Sequence, residues 1–127
     1  MSEVAPCETL TRNNQKSIAT EGKGKSKEVL DARSCRWSIS SGTVNVSLHS
    51  EKPIEELNFS KGTKKEYSIN KKNGLLAIGN TEGICTVAIP FGDSQTATVD
   101  VESLKTATSC DLAKKIAPMV EQNISDS

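Results

Sequence analysis

Four cysteines, Cys7, Cys35, Cys85 and Cys110, and a single histidine, His49, are the first residues of this chain to weigh for covalent, metal or acid–base chemistry. The cysteines are 28, 50 and 25 positions apart, so no Cys-x-x-Cys pair is present to hold zinc or to run thiol exchange. One histidine does not complete a Cys/His metal set with cysteines so dispersed. Neither a metal nor a cofactor is expected. An even cysteine count with no competing chemistry reads as two disulfides, and disulfides persist in oxidising compartments outside the cytoplasm.

Three pairings are open to four cysteines. Cys7, in Ala5-Pro6-Cys7-Glu8, and Cys110, in Thr108-Ser109-Cys110-Asp111, both read as helix starts, whereas Cys35 and Cys85 both read as strand positions. Like contexts favour a nested arrangement, Cys7 with Cys110 and Cys35 with Cys85. The rival joins Cys7 to Cys35 and Cys85 to Cys110. It gains support if Gly92–Gln95 turns a hairpin, because Cys85 then falls opposite about residue 102, a short loop from Cys110.

His49 is the one side chain whose ordinary pKa suits a general base near neutrality. It shares a strand phase with Asn45 and Ser47, opposite the apolar residues, and no G-x-S-x-G or other nucleophile context accompanies it. No catalytic residue is assigned. A small extracytoplasmic hydrolase using His49 is the alternative from the enzyme class. Trp37, the only tryptophan, lies two residues beyond Cys35 on the inward phase and reads as a core aromatic packed on that cysteine's bridge.

The elements that must position these groups follow from periodicity. A weak helix is expected from Glu8 to about Thr20, with Leu10 and Ile18 on one face. The run Gly22-Lys23-Gly24-Lys25-Ser26-Lys27 has no apolar residue and reads as a solvated basic loop; contact of Lys23, Lys25 and Lys27 with an anionic surface is the lesser reading. From Cys35 the period becomes two: Cys35, Trp37 and Ile39, then Val44, Val46 and Leu48 after a turn at Ser41-Gly42. Pro53–Phe59 suggests a short helix, and 61–65 a loop. Tyr67 and Ile69 form a strand, Asn73-Gly74 a turn and Leu75–Gly79 the returning strand. Cys85, Val87, Ile89 and Phe91 alternate, as do Ala97, Val99 and Val101. A last helix, capped by Ser109, presents Leu112, Ala113, Ile116, Ala117, Val120 and Ile124, with Pro118 bending or shortening it so that it ends near Asn123.

The sum is a single α+β domain over residues 1–127, with 1–5 and 124–127 as flexible ends. An antiparallel sheet of five or six strands carries N-terminal and C-terminal helices on one face, closed by two disulfides. Hydrophobic content of 35% with 3% aromatics makes the core aliphatic and lean, which is where cross-links matter most. Lys plus Arg balances Asp plus Glu at 16 each, and stacking aromatics are scarce, so nucleic acid is not an expected partner. No apolar run approaches the ~18 residues of a membrane span. Met1-Ser2-Glu3-Val4 lacks the features of an export signal and reads as a start inside a mature protein. Pro6 argues against lipidation at Cys7 itself.

Pro6-Cys7, Leu10-Thr11, Cys35-Arg36-Trp37-Ser38, Cys85-Thr86-Val87-Ala88-Ile89 and Cys110-x-x-Ala113 with Ile116-Ala117 occur in an order that resembles a family of small actinobacterial cell-envelope lipoproteins, catalogued as a domain of unknown function. The resemblance runs from Pro6 to Asn123. Family members often have Asp-Pro-Cys at the first cysteine, where this chain has Ala5-Pro6-Cys7. The resemblance implies an exported, compact α+β protein tethered by a lipid on an upstream cysteine, and it implies no catalytic residues. The resulting expectation is a monomeric, non-enzymatic envelope domain that binds a protein, lipid or glycan outside the membrane, touching the membrane only through that anchor. A purely structural secreted module is the third reading.

Overall fold

The computed structural model describes residues 1, 3–29, 32–57, 63–79 and 82–126. Seven strands, β1 (Thr20–Val29), β2 (Ala32–Ile39), β3 (Gly42–His49), β4 (Thr63–Ile69), β5 (Lys72–Ile78), β6 (Ile84–Phe91) and β7 (Gln95–Ser103), form one sheet in the order β1-β2-β3-β7-β6-β5-β4. Every neighbouring pair is antiparallel. Two meanders, β1-β2-β3 and β4-β5-β6-β7, meet at the β3–β7 seam. β3 and β4 therefore run in the same direction at different places in the sheet, and the chain between them must cross it. Its described part does so on the outer face: Thr96 Oγ1 donates to the Lys52 carbonyl at 2.9 Å, and the 3-10 turn Ile54–Glu56 packs against β6.

The opposite face holds the core. Cys35, Trp37, Val44, Val46, Leu48, Cys85, Val87, Ile89, Ala97, Val99 and Val101 alternate inward and are buried. The helix α2 (Thr106–Ser125) lies across β6 and β7 with Ala113, Ile116, Ala117 and Val120 fully buried. Burying Ile116 or Val120 contributes roughly 1.5 to 3 kcal/mol before conformational entropy is set against it, and each alanine methyl about 0.8 kcal/mol. The N-terminal segment covers β1, β2 and β3 through the 3-10 turn Pro6–Glu8, and Arg33 anchors it by donating to the carbonyls of Val4 at 2.8 Å and Met1 at 3.2 Å. Val4 and Ile124, near the ends expected to be flexible, are buried.

Several expectations are corrected. The sheet has seven strands, not five or six, because the basic Gly/Lys segment is strand β1 and not a loop. An edge strand needs no apolar residues of its own when backbone pairing to a neighbour holds it. Gly24 adds the condition that makes this segment fit: a Cβ there would stand 2.5 Å from Cys35 Sγ and 2.6 Å from Trp37 Nε1. The N-terminal helix from Glu8 to Thr20 is not formed. Only the six residues of α1 (Arg12–Ser17) are α-helical, none of them buried, with Thr11 and Asn14 closing a reciprocal capping box. Leu10 and Ile18 are buried beyond its two ends.

The β4–β5 turn is Asn70-Lys71, both at positive φ, and not Asn73-Gly74. Gly74 lies inside β5, where a Cβ would meet the Ala88 carbonyl oxygen at 2.3 Å. Helix α2 begins at Thr106, so Ser109 is not its cap; its hydroxyl donates to the Gly83 carbonyl at 2.6 Å. The helix continues through Pro118 to Ser125, and Asn70 Nδ2 bonds the Pro118 carbonyl and Glu121 Oε1. Of the short helix expected over Pro53–Phe59, only Ile54–Glu56 is helical and 58–59 lie outside the described residues. Of the loop expected over 61–65, residues 61–62 lie outside them and Thr63 begins β4.

The disulfides join Cys7 to Cys35 and Cys85 to Cys110, which overturns the nested pairing. The reason is topological. Cys35 and Cys85 both face inward but lie on strands separated by β3 and β7, too far apart for one bond, whereas each meets the cover packed above it. Hairpin β6–β7 pairs Cys85 with Val101, a few residues from the start of α2.

Two stability predictions follow from this packing. The double variant Cys85→Ala/Cys110→Ala opens a bridge of sequence separation 25 and should lose roughly 3 to 4 kcal/mol by the loop-entropy relation, read as a lower urea midpoint without reductant. Gly24→Ala forces a methyl into the Cys35–Trp37 contact and should cost about 1 to 3 kcal/mol in the same assay, with a change in tryptophan fluorescence.

Candidate functional site

The outer face of the sheet is polar where the inner face is aliphatic. Strand register carries one row across it: Lys25, Arg36, Asn45, Asp100, Thr86, Ala77 and Lys64. A parallel row runs Lys27, Ser34, Ser47, Thr98, Ala88, Leu75 and Glu66. Alternation produces both, since Thr98 and Asp100 interleave with the core residues Ala97, Val99 and Val101.

The centre of this face is out of contact with bulk water. Ser34, Ser47, Thr86, Thr98 and Ala88 are all buried, and Ser34 and Ser47 share a hydroxyl hydrogen bond of 2.8 Å. Asp100 is the carboxylate in this setting, partly buried, with the Thr86 hydroxyl donating to its Oδ1. Desolvation pushes its pKa above the ordinary 3.8, and the Thr86 hydrogen bond offsets part of that rise. Towards the β1 edge the face becomes cationic and wet: Lys23, Lys25, Lys27 and Arg36 are exposed. Arg36 stands two strands from Asp100, roughly 10 Å at the usual strand spacing.

His49 is at the end of β3, paired with Thr96 of β7 and half-buried, in the outward phase read from the sequence. Ser47, the nearest hydroxyl in that phase on β3, is engaged with Ser34. Trp37 is 1% exposed, in the core beside the Cys7–Cys35 bridge. Among the described residues, no group of three or more His, Cys, Asp or Glu side chains is arranged to hold a metal. The row through Asn45, Asp100 and Thr86 was missed in the sequence reading. Its one legible signal was a carboxylate in the middle of a strongly alternating strand, where Asp is normally depleted.

The sequence profile described as "Protein of unknown function (DUF3558)" matches residues 2–123, and the chain belongs to that family. Neither a curated protein nor a solved structure matches it. Two disulfides point to an oxidising, extracytoplasmic environment, and no helix among the described residues is long and apolar enough to cross a membrane.

The raised pKa of Asp100 fixes the sign of a pH effect. The folded chain holds this proton more tightly than the unfolded chain, so between the ordinary and the raised value stability falls as pH rises, and the loss persists above that window. Asp100→Asn keeps an oxygen to accept from Thr86 and carries no charge. It should raise stability at neutral pH and flatten this part of the profile, measured as urea midpoints from about pH 4 to about pH 8.

Proposed function

We propose that this domain is a non-enzymatic binding module of the cell envelope, working as a monomer outside the membrane and presenting the polar face of its sheet to a protein or amphiphilic ligand. The carrying observation is the contrast between the two faces. One is sealed by α2 and the N-terminal segment, each cross-linked to the sheet, while the other combines buried hydroxyls, a desolvated carboxylate and exposed cations. A carboxylate kept against a desolvation cost is a feature that binding and catalytic sites share. The resemblance to actinobacterial envelope lipoproteins adds a lipid tether on an upstream cysteine, which would hold the domain at the membrane without a spanning helix.

The test is amide-shift mapping of the labelled domain against vesicles containing phosphatidylglycerol, a soluble anionic glycan and purified envelope proteins. Binding should perturb the outer-face residues of β2, β3 and β7 and weaken roughly tenfold in Arg36→Glu/Asn45→Ala, with Lys114→Glu on α2 unchanged. Ester and peptide panels should show no turnover. Turnover that disappears in His49→Ala, or shifts confined to α2, would overturn the proposal.

A further inference from the structure

The two edges of the sheet differ in a way that the binding reading does not require. Among the described residues, β1 has a strand neighbour on one side alone. It is the longest strand, Thr20–Val29, interrupted by a register shift between Glu21 and Lys25 and then paired regularly with β2 from Lys25 to Val29. Gly24 faces inward onto Cys35 and Trp37, so Lys25 and Lys27 project outward, with Arg36 beside Lys25 in register, while Lys23 lies within the shifted stretch. All four are exposed, and none takes part in an ion pair among the described residues. At the other edge the outward residues of β4 alternate in sign, Lys64 then Glu66. α2 lies against that strand, with Lys114 Nζ 5.9 Å from the Tyr67 ring centre.

Lysines on an edge strand ordinarily prevent sheets from pairing edge to edge, and a second copy of β1 would set like charges against each other. The same charges turn attractive when the incoming strand is acidic. Carboxylates on alternate residues of an extended chain repeat every ~7 Å, the repeat of Lys25 and Lys27.

We propose that β1 is a docking edge that accepts an acidic, extended segment of a partner protein as an eighth strand, paired with the backbone of Lys25–Val29 and with alternate Asp or Glu side chains beside Lys25 and Lys27. This rests on the binding-module reading and narrows its partner to a protein. Backbone pairing supplies affinity and the lysine ladder supplies selectivity, as in other strand-addition complexes.

The probe is the peptide Ac-TEVETEV-NH2 titrated into the labelled full chain. Saturable shifts should fall on 20–29 and 32–39. Binding should weaken roughly tenfold in Lys25→Glu/Lys27→Glu, whose exposed positions leave the fold intact by circular dichroism. It should also weaken as ionic strength rises from about 0.01 M to about 0.15 M, which cuts the screening length from about 30 Å to about 8 Å. The same peptide N-methylated at alternate residues should not bind. Equal binding of the methylated peptide would reduce the contact to unspecific charge attraction and overturn the proposal, as would no binding at millimolar peptide. Vesicles or glycan mapping to the outer face while the peptide fails would overturn strand addition alone and leave the binding module standing.

Discussion

The structure depends on closing one apolar sheet face with covers too small to hold themselves there. The core is aliphatic apart from Trp37, and the covers are a single helix and an N-terminal segment whose only α-helix is six residues long with no buried side chain. Each is bonded covalently to the strand beneath it: the N-terminal segment to β2 through Cys7–Cys35, and α2 to β6 through Cys85–Cys110. A segment with so little buried surface would otherwise separate from the sheet at little cost in lost contacts, so the bonds act where packing is weakest. That arrangement also accounts for Gly24, since the bridge and Trp37 occupy the space a side chain would need.

With its inner face closed, the sheet has one broad surface and two edges left. The outer surface is built from small hydroxyl and amide side chains, bordered by cations at β1 and crossed near β6 and β7 by the connection from β3. Within it Asp100 runs against the logic of a stable strand, because its carboxylate gives up hydration for one hydroxyl partner. The edges are managed differently: β4 by mixed charge and the nearby helix, β1 by a run of lysines set between Glu21 and Glu28. The domain is sealed on one side and chemically asymmetric on the other.

Glu121 shows a second use of polar burial. It is 7% exposed on α2, accepts from Asn70 and from Ser125, and stands 4.0 Å from Lys72. Asn70 occupies the first of the two left-handed positions of the β4–β5 turn and also bonds the Pro118 carbonyl. One turn residue thus ties the β4–β5 hairpin to the helix at Pro118 and Glu121.

Alternation was the strongest signal in the chain. Cys35 to Ile39, Val44 to Leu48, Cys85 to Phe91 and Ala97 to Val101 were legible as strands, as were Trp37 in the core and the hairpin after Phe91, because period-two burial is written into neighbouring residues. The amphipathic repeat of α2 was equally local. Strand β1 was not legible, since its residues bury almost nothing and its conformation comes from hydrogen bonds to β2. Nor was the Asn70-Lys71 turn, where Asn73-Gly74 offered the better local signal and the packing of β5 on β6 overruled it. The cysteine partners and the Asp100 row depended on strand order, which puts β7 beside β3 and so brings together residues more than fifty positions apart, such as Asn45 and Asp100. Local periodicity determined which residues face inward; the long-range pairing of strands decided which of them meet, because backbone hydrogen bonds between distant segments leave no repeat in the sequence of either one.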